Sequence, residues 1–190
     1  MEGSLKDISV AMLVVDGFEQ AELTGPRDAL ADQGARTVLV SARREPVQGM
    51  HHDQKGNTFE VDLTFAEAQP AEFDAVLLPG GVVNADEIRM HPKAREFVRA
   101  MWEQHKPVAV ICHGPWLLAS AGLLKGRTLT SWPSLQDDLR NAGATWVDQE
   151  VVVDGMLVSS RKPGDIPAFN REMLRVIRAA AGAAGGGQAH

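Results

Sequence analysis

Four short runs of consecutive apolar residues constrain this chain most: residues 8–15, 37–41, 75–78 and 108–111, each rich in Val, Ile or Leu and set between stretches of helical spacing. Runs that are continuous rather than alternating predict strands covered on both faces, as in a parallel sheet flanked by helices. Helical spacing is plainest at residues 92–105, where Ala94, Phe97, Val98, Met101 and Trp102 recur at three- and four-residue intervals behind Pro92, a residue suited to a first turn. A first helix is expected over 20–33, stopped by Gly34 in a left-handed end and kinked or turned at Gly25-Pro26. Further helices are expected from just after Cys112 to near Gly122, over 135–142 with Ser134 as its cap, and over 165–180. Residues 47–61 turn polar and alternating, with Gly49 and Gly56-Asn57 as turn signals, which reads as a small peripheral antiparallel excursion. Asp154-Gly155, between 151–153 and 156–158, is the strongest hairpin signal.

Strand and helix alternate without a repeat or a dividing linker, so the expectation is one α/β domain over residues 1–180. Its architecture is a three-layer sandwich: a mainly parallel, flavodoxin-like sheet with helices on both faces. Residues 181–190, mostly Gly and Ala, read as a flexible tail with too little apolar bulk to repay its ordering.

Composition narrows the functions. Nineteen basic against 25 acidic side chains give a net charge of −6, and the longest cationic run is a pair such as Arg43-Arg44, so no groove for nucleic acid is expected. No stretch approaches the ~20 apolar residues of a membrane span, and residues 1–7 are polar rather than leader-like, which together predict a cytoplasmic protein. The single cysteine, Cys112, excludes an intrachain disulfide and a Cys-rich metal site; His51, His52, His91 and His105 lack ligand spacing. No metal or cofactor is expected.

Ligands of open α/β sheets gather where strands deliver their carboxyl ends into loops. There Ala109-Val110-Ile111-Cys112-His113-Gly114-Pro115 passes from a buried strand through one polar pair into a helix. This puts Cys112 on a sharp elbow of the kind that exposes a nucleophile, at a helix start that favours thiolate over thiol. A lowered thiol pKa is the expectation. The same position suits a small hydrophobe buried at a strand end, and the residues alone leave both readings open.

The motifs, in order, are Phe18-Glu19-Gln20-Ala21-Glu22-Leu23 after the first strand, Leu78-Pro79-Gly80-Gly81 after the third, and Ile111-Cys112-His113-Gly114-Pro115 at the elbow. Asn141-Ala142-Gly143-Ala144, Asp148, Val151-Val152-Val153-Asp154-Gly155 and Ser159-Ser160-Arg161 follow. Over residues 8–178 this order resembles the PfpI-like intracellular cysteine peptidase family, in the superfamily that also holds the parkinsonism-associated protein deglycase and the class I glutamine amidotransferases. The resemblance implies a nucleophile at Cys112, its adjacent histidine at His113, and an acidic residue touching the cysteine at Glu19. It implies an oxyanion hole from the backbone N–H groups of Gly81 and His113, and a carboxylate from a neighbouring subunit to orient His113, best matched by Asp86 with Glu87 as the alternative. A homodimer or higher homo-oligomer follows. Glutamine-fed ammonia transfer does not fit: Val110 stands where amidotransferases carry glycine, and the only histidine after His113 is His190.

The activity so implied is that of a stress-related cysteine hydrolase, peptidase-like or deglycase- and glyoxalase-like, acting on small carbonyl compounds, glycated proteins or peptides. The alternative is a non-enzymatic redox sensor or holdase that works through oxidation of Cys112. Arg161 with Lys162 is read as a solvated loop or ion pair rather than an anion holder, and Trp116 and Trp132 as core or interface residues with a chance of lining the crevice.

Overall fold

The chain begins its described residues, 4–186 of the computed structural model, with β1 (Ser9–Leu13), β2 (Phe18–Glu19), α1 (Gln20–Asp32), β3 (Arg36–Ser41), β4 (Val47–His51), β5 (Gln54–Phe59) and β6 (Leu63–Thr64). It continues through β7 (Ala75–Leu78), α2 (Val82–Ile88), α3 (Pro92–Glu103), β8 (Val108–Ile111), α4 (Pro115–Ser120) and β9 (Thr128–Leu129). It closes with α5 (Gln136–Asn141), β10 (Thr145–Trp146), β11 (Val151–Asp154), β12 (Leu157–Ser160) and α6 (Ile166–Gly185).

Seven strands form one sheet in the order β11-β12-β8-β7-β1-β3-β6, parallel throughout except for the β11–β12 hairpin at its edge. Because successive side chains alternate faces, Val10, Met12 and Val14 enter the core under α1 and α6, while Ala11, Leu13 and Val15 enter the core under α3, α4 and α5. Both faces are dry, which is why the strands read as unbroken apolar runs. The fold is therefore the expected α/β sandwich. From β1 the chain steps outward to β3, then returns to β7 on the other side of β1. The carboxyl ends of β1, β7 and β8 consequently open into a common crevice at this reversal.

Several local expectations need correction. α1 runs straight through Gly25-Pro26; the proline leaves one helical hydrogen bond unmade, but Gly25 packs against Ile166 and its carbonyl accepts from Asn170 Nδ2 at 3.4 Å, so α6 holds this stretch in place. Gly34 does adopt the left-handed conformation, with φ 87°. The β4–β5 turn lies at His52 and Asp53, with His52 at φ 58°, whereas Gly49 and Gly56 sit inside the strands. Nor is this hairpin peripheral, because β4 pairs with β2 and so is tied to the segment entering the crevice. Ser134 lies within a short 3-10 turn and caps nothing. Helix α6 continues to Gly185, so residues 181–185, expected as tail, are helical. Alanines propagate a helix readily once its earlier turns are docked. Residues 1–3 and 187–190, which complete the polar terminus and the expected tail, lie outside the described residues.

Candidate active site

Cys112 follows β8 directly and is held from both sides: its N–H donates to Ser160 O at 3.0 Å and its carbonyl accepts from Trp132 N at 2.9 Å. These bonds fix it at φ 63°, a left-handed conformation that costs a side chain of this kind on the order of 1 kcal/mol. The strain turns Cβ out of the sheet and toward the crevice. Gly114 makes the turn possible, since a Cβ there falls 2.7 Å from both Leu78 O and Val110 Cγ2.

The sulfur meets His113 first. Its distance to His113 Nδ1 is 3.2 Å, so the neighbouring residues point together rather than apart. The imidazole is stacked on Trp132, with centroids 5.9 Å apart and planes at 22°, and meets the edge of Trp116 at 5.4 Å. Burial lowers its pKa, which keeps the ring neutral and able to accept a proton.

The carboxyl against the thiol is Glu22, not Glu19. Glu22 is fully buried, with Oε1 accepting from Gly80 N at 3.1 Å and Oε2 left without a conventional partner beside the thiol. Glu19 also faces the crevice, but its Oε2 accepts from the backbone N of His52 at 3.1 Å. The reason is helical phase. Glu22, Pro26 and Leu30 lie at four-residue intervals on the buried face of α1, whereas Glu19 precedes the helix. Absence of a side chain at Gly80 lets these groups meet, since a Cβ there falls 2.5 Å from Glu22 Oε1 and 2.6 Å from Cys112 Cβ.

Burial, assisted by the nearby Glu19 charge, pushes Glu22 up to about 8, so it is a protonated acid at neutral pH. Burial also pushes the Cys112 thiol up, and both the charge of a Glu22 carboxylate and the hydrogen bond the thiol gives it push it further; the N–H groups of Gly81 and His113, both within range of the sulfur, act in the opposite direction. The expected lowered thiol pKa is thus not what the site produces. Cys112 is only 7% exposed, and α4, at six residues, offers a weak dipole against that desolvation. Near neutral pH both groups therefore keep their protons, and as pH rises Glu22 gives up its own first.

Gly81, at φ 87°, directs its N–H into the site, and the turn that carries it is braced by a residue the sequence reading missed. Asn84, 1% exposed, accepts from Val15 N at 2.8 Å and donates to Gly80 O at 3.0 Å and Pro79 O at 3.3 Å. Asp86 and Glu87, on the exposed side of α2, do not bond to His113 within the chain. Arg161 is fixed by Asp165 at 2.9 Å and Asp148 at 2.8 Å, as an ion pair.

Around the sulfur lies a cavity of about 520 Å³, lined mainly by Met50, His52, Val82, Val83, Trp132 and Pro163, with Glu19 and Asp53 among its polar groups. Val82 and Val83 stand 51% and 58% exposed at its mouth. Trp116 lines an adjoining recess instead. Among the described residues there is no group of three or more metal-binding side chains, and no helix long and apolar enough to cross a membrane.

Known proteins resemble this chain in sequence and fold. Deglycase TK1284 of Thermococcus kodakarensis is 48% identical over 172 residues, 90% of this chain and 100% of that one. Deglycase PfpI of Pyrococcus furiosus is 44% identical over 171 residues, again 90% and 100%. A solved two-domain protein of Anabaena variabilis, containing DJ-1/ThiJ/PfpI-like and ferritin-like domains, superimposes with a TM-score of 0.84 at 36% identity, over 88% of this chain and 47% of that chain. The DJ-1/PfpI family model matches residues 8–176, a span that begins just before β1, ends within α6 and takes in every motif of the crevice: this chain belongs to the DJ-1/PfpI family.

Proposed function

We propose that the protein is a cysteine-dependent deglycase, a hydrolase that removes carbonyl adducts from modified amino groups. The observation that carries this reading is the 3.2 Å contact between Cys112 Sγ and His113 Nδ1 at the base of an apolar cavity. The names of the two relatives supply the substrate class. A cavity of about 520 Å³ suits a small carbonyl fragment or one modified side chain better than a length of polypeptide, which favours deglycase over peptidase.

In the first step the sulfur adds to the electrophilic carbon as its proton passes to His113 Nδ1. The S–C bond forms, the C=O π pair moves to oxygen, and that oxyanion is held by the N–H groups of Gly81 and His113. Glu22, neutral, stabilises developing charge on sulfur without adding a negative charge of its own. Collapse of the oxyanion re-forms the C=O and breaks the bond from that carbon to the modified nitrogen, whose electron pair takes the proton from His113-H⁺; water then adds to the resulting thioester, and its C–S bond breaks to give a carboxylic acid and the free thiol.

His113 needs an orienting partner, and among the described residues of one chain no carboxylate bonds to it. The exposed Asp86, with Glu87 beside it, is proposed to reach His113 of a second copy across the mouth formed by Val82 and Val83, so that the working enzyme is a homodimer or larger. The redox-sensor reading lacks a second thiol in this sequence to resolve an oxidised Cys112.

Steady-state assays on methylglyoxal, a methylglyoxal-modified peptide and casein, with wild type and Cys112→Ser, test the reading. Turnover of the modified peptide that falls at least about a thousandfold in the variant is expected, with little casein cleavage. Turnover on none of the three, or equal turnover in the variant, overturns it.

A further inference from the structure

A second groove, of about 670 Å³, lies on the outer face of α2, α3 and the end of α4, lined by Asp86, Arg89, Met90, Arg95, Arg99 and Ser120. It joins the catalytic cavity only through an intervening recess, with which it shares Asp86 and Met90. Its three arginines are half-buried, and among the described residues none has a carboxylate at ion-pairing distance. Most arginines elsewhere are matched to acids, as Arg43 is to Asp16, Arg44 to Glu67 and Arg161 to Asp165, while Arg36 and Arg140 bond to Ser9 and Gln136 instead. In a protein of net charge −6, three convergent unmatched guanidinium groups are a local exception.

Each is also held in place. Arg89 Nε donates to Ser120 Oγ at 2.8 Å while its guanidinium lies over Trp116, 5.2 Å from the ring centroid. Arg95 Nη1 donates to Arg89 O at 2.6 Å, and Arg99 Nε to Ala121 O at 2.8 Å. One of five donors is thus engaged on each side chain, enough to fix its orientation and leave further N–H groups free. Fixed, half-desolvated guanidinium forks are the geometry that recognises tetrahedral oxyanions through paired hydrogen bonds. With Asp86 as the one acid lining the groove, the local balance is two positive charges, which a phosphoryl dianion neutralises and a carboxylate does not.

We propose that this groove is a phosphoryl-binding site. Its ligand is either free inorganic phosphate or pyrophosphate, or the phosphate of an organic monoester. The site goes beyond the deglycase reading and does not depend on it, so binding is measured in the Cys112→Ser protein, where chemistry at the thiol plays no part.

The experiment is a titration by calorimetry and by thermal unfolding, at constant ionic strength, with pyrophosphate, inorganic phosphate, glycerol phosphate and sodium chloride. Saturable binding of a phosphoryl ligand is expected, with a rise in unfolding midpoint that chloride does not produce, and at least about tenfold weaker binding in Arg95→Gln/Arg99→Gln. Binding of the two inorganic ligands alone identifies a free-phosphate site; binding of glycerol phosphate as well identifies an organic phosphate. Arg95→Lys/Arg99→Lys, which retains the charge and loses the fork, guards against a variant that fails to fold and is expected to weaken binding too. No saturable binding up to about 20 mM, or binding unchanged in both double variants, overturns the proposal. So does a wild type that binds no phosphoryl ligand while the double variants change oligomeric mass, which identifies the groove as a contact between copies.

Discussion

Glu22 carries more of this site's behaviour than its position in a motif suggests. Its folded-state value of about 8 lies above the ordinary 4.5, so the folded chain holds the proton more tightly than the unfolded one. The stability that goes with the bound proton is complete below about pH 4.5 and is lost as pH rises through about 8. Glu22→Gln has no such proton to lose. Chemical denaturation of both proteins between about pH 5 and about pH 9 is expected to show wild type losing a few kcal/mol relative to the variant, at about 1.4 kcal/mol for each tenfold change in proton affinity. Asn84 admits an equally specific test. Asn84→Asp keeps the acceptor for Val15 N–H but turns the donor to Gly80 and Pro79 into an acceptor facing two carbonyls. Turnover is expected to fall through kcat, with KM little changed and a stability loss of about 1–3 kcal/mol; unchanged kcat would show that the turn does not need this brace.

At the scale of elements, the site depends on how closely the β7 turn, the start of α1 and the β8 elbow approach one another. Gly80→Ala tests that approach, because the added methyl meets Glu22 Oε1 and Cys112 Cβ and has no φ strain of its own. A loss of about 1–3 kcal/mol in unfolding free energy is expected, together with loss of turnover; a Gly80→Ala protein that stays stable and active would contradict the packing described. The same elements show what a sequence can reveal. Four apolar runs disclosed the central strands because burial on both faces leaves no other composition possible. The Cys-His-Gly-Pro turn disclosed the elbow because a strand and helix meet there with no room for a longer loop. Glu22 escaped, although helical phase was enough to find it: Glu22, Pro26 and Leu30 share one face, so its carboxyl is buried, while Glu19 is not part of the helix. The hairpin wall formed by Met50 and His52 was out of reach, since its contact with β2 is a long-range pairing that local turn signals do not encode.

For the molecule as a whole, the sheet supplies a rigid frame and its reversal between β1 and β7 gathers three loops at one point. Two apolar cores clamp those loops, so a thiol and a carboxyl that would ionise more readily in water are kept out of it together. The central claim is that at neutral pH Glu22 faces Cys112 as a neutral acid and not as an anion. The sign of one effect decides it: the rate of Cys112 alkylation by iodoacetamide, followed by intact mass at about pH 6.5, below the Glu22 value of about 8, in wild type, Glu22→Gln and Glu22→Leu. A neutral acid predicts that Gln, which can still donate, leaves the rate close to wild type, and that Leu, which cannot, slows it by about tenfold or more. If both substitutions instead speed alkylation, Glu22 was an anion repelling the thiolate, and the claim is contradicted.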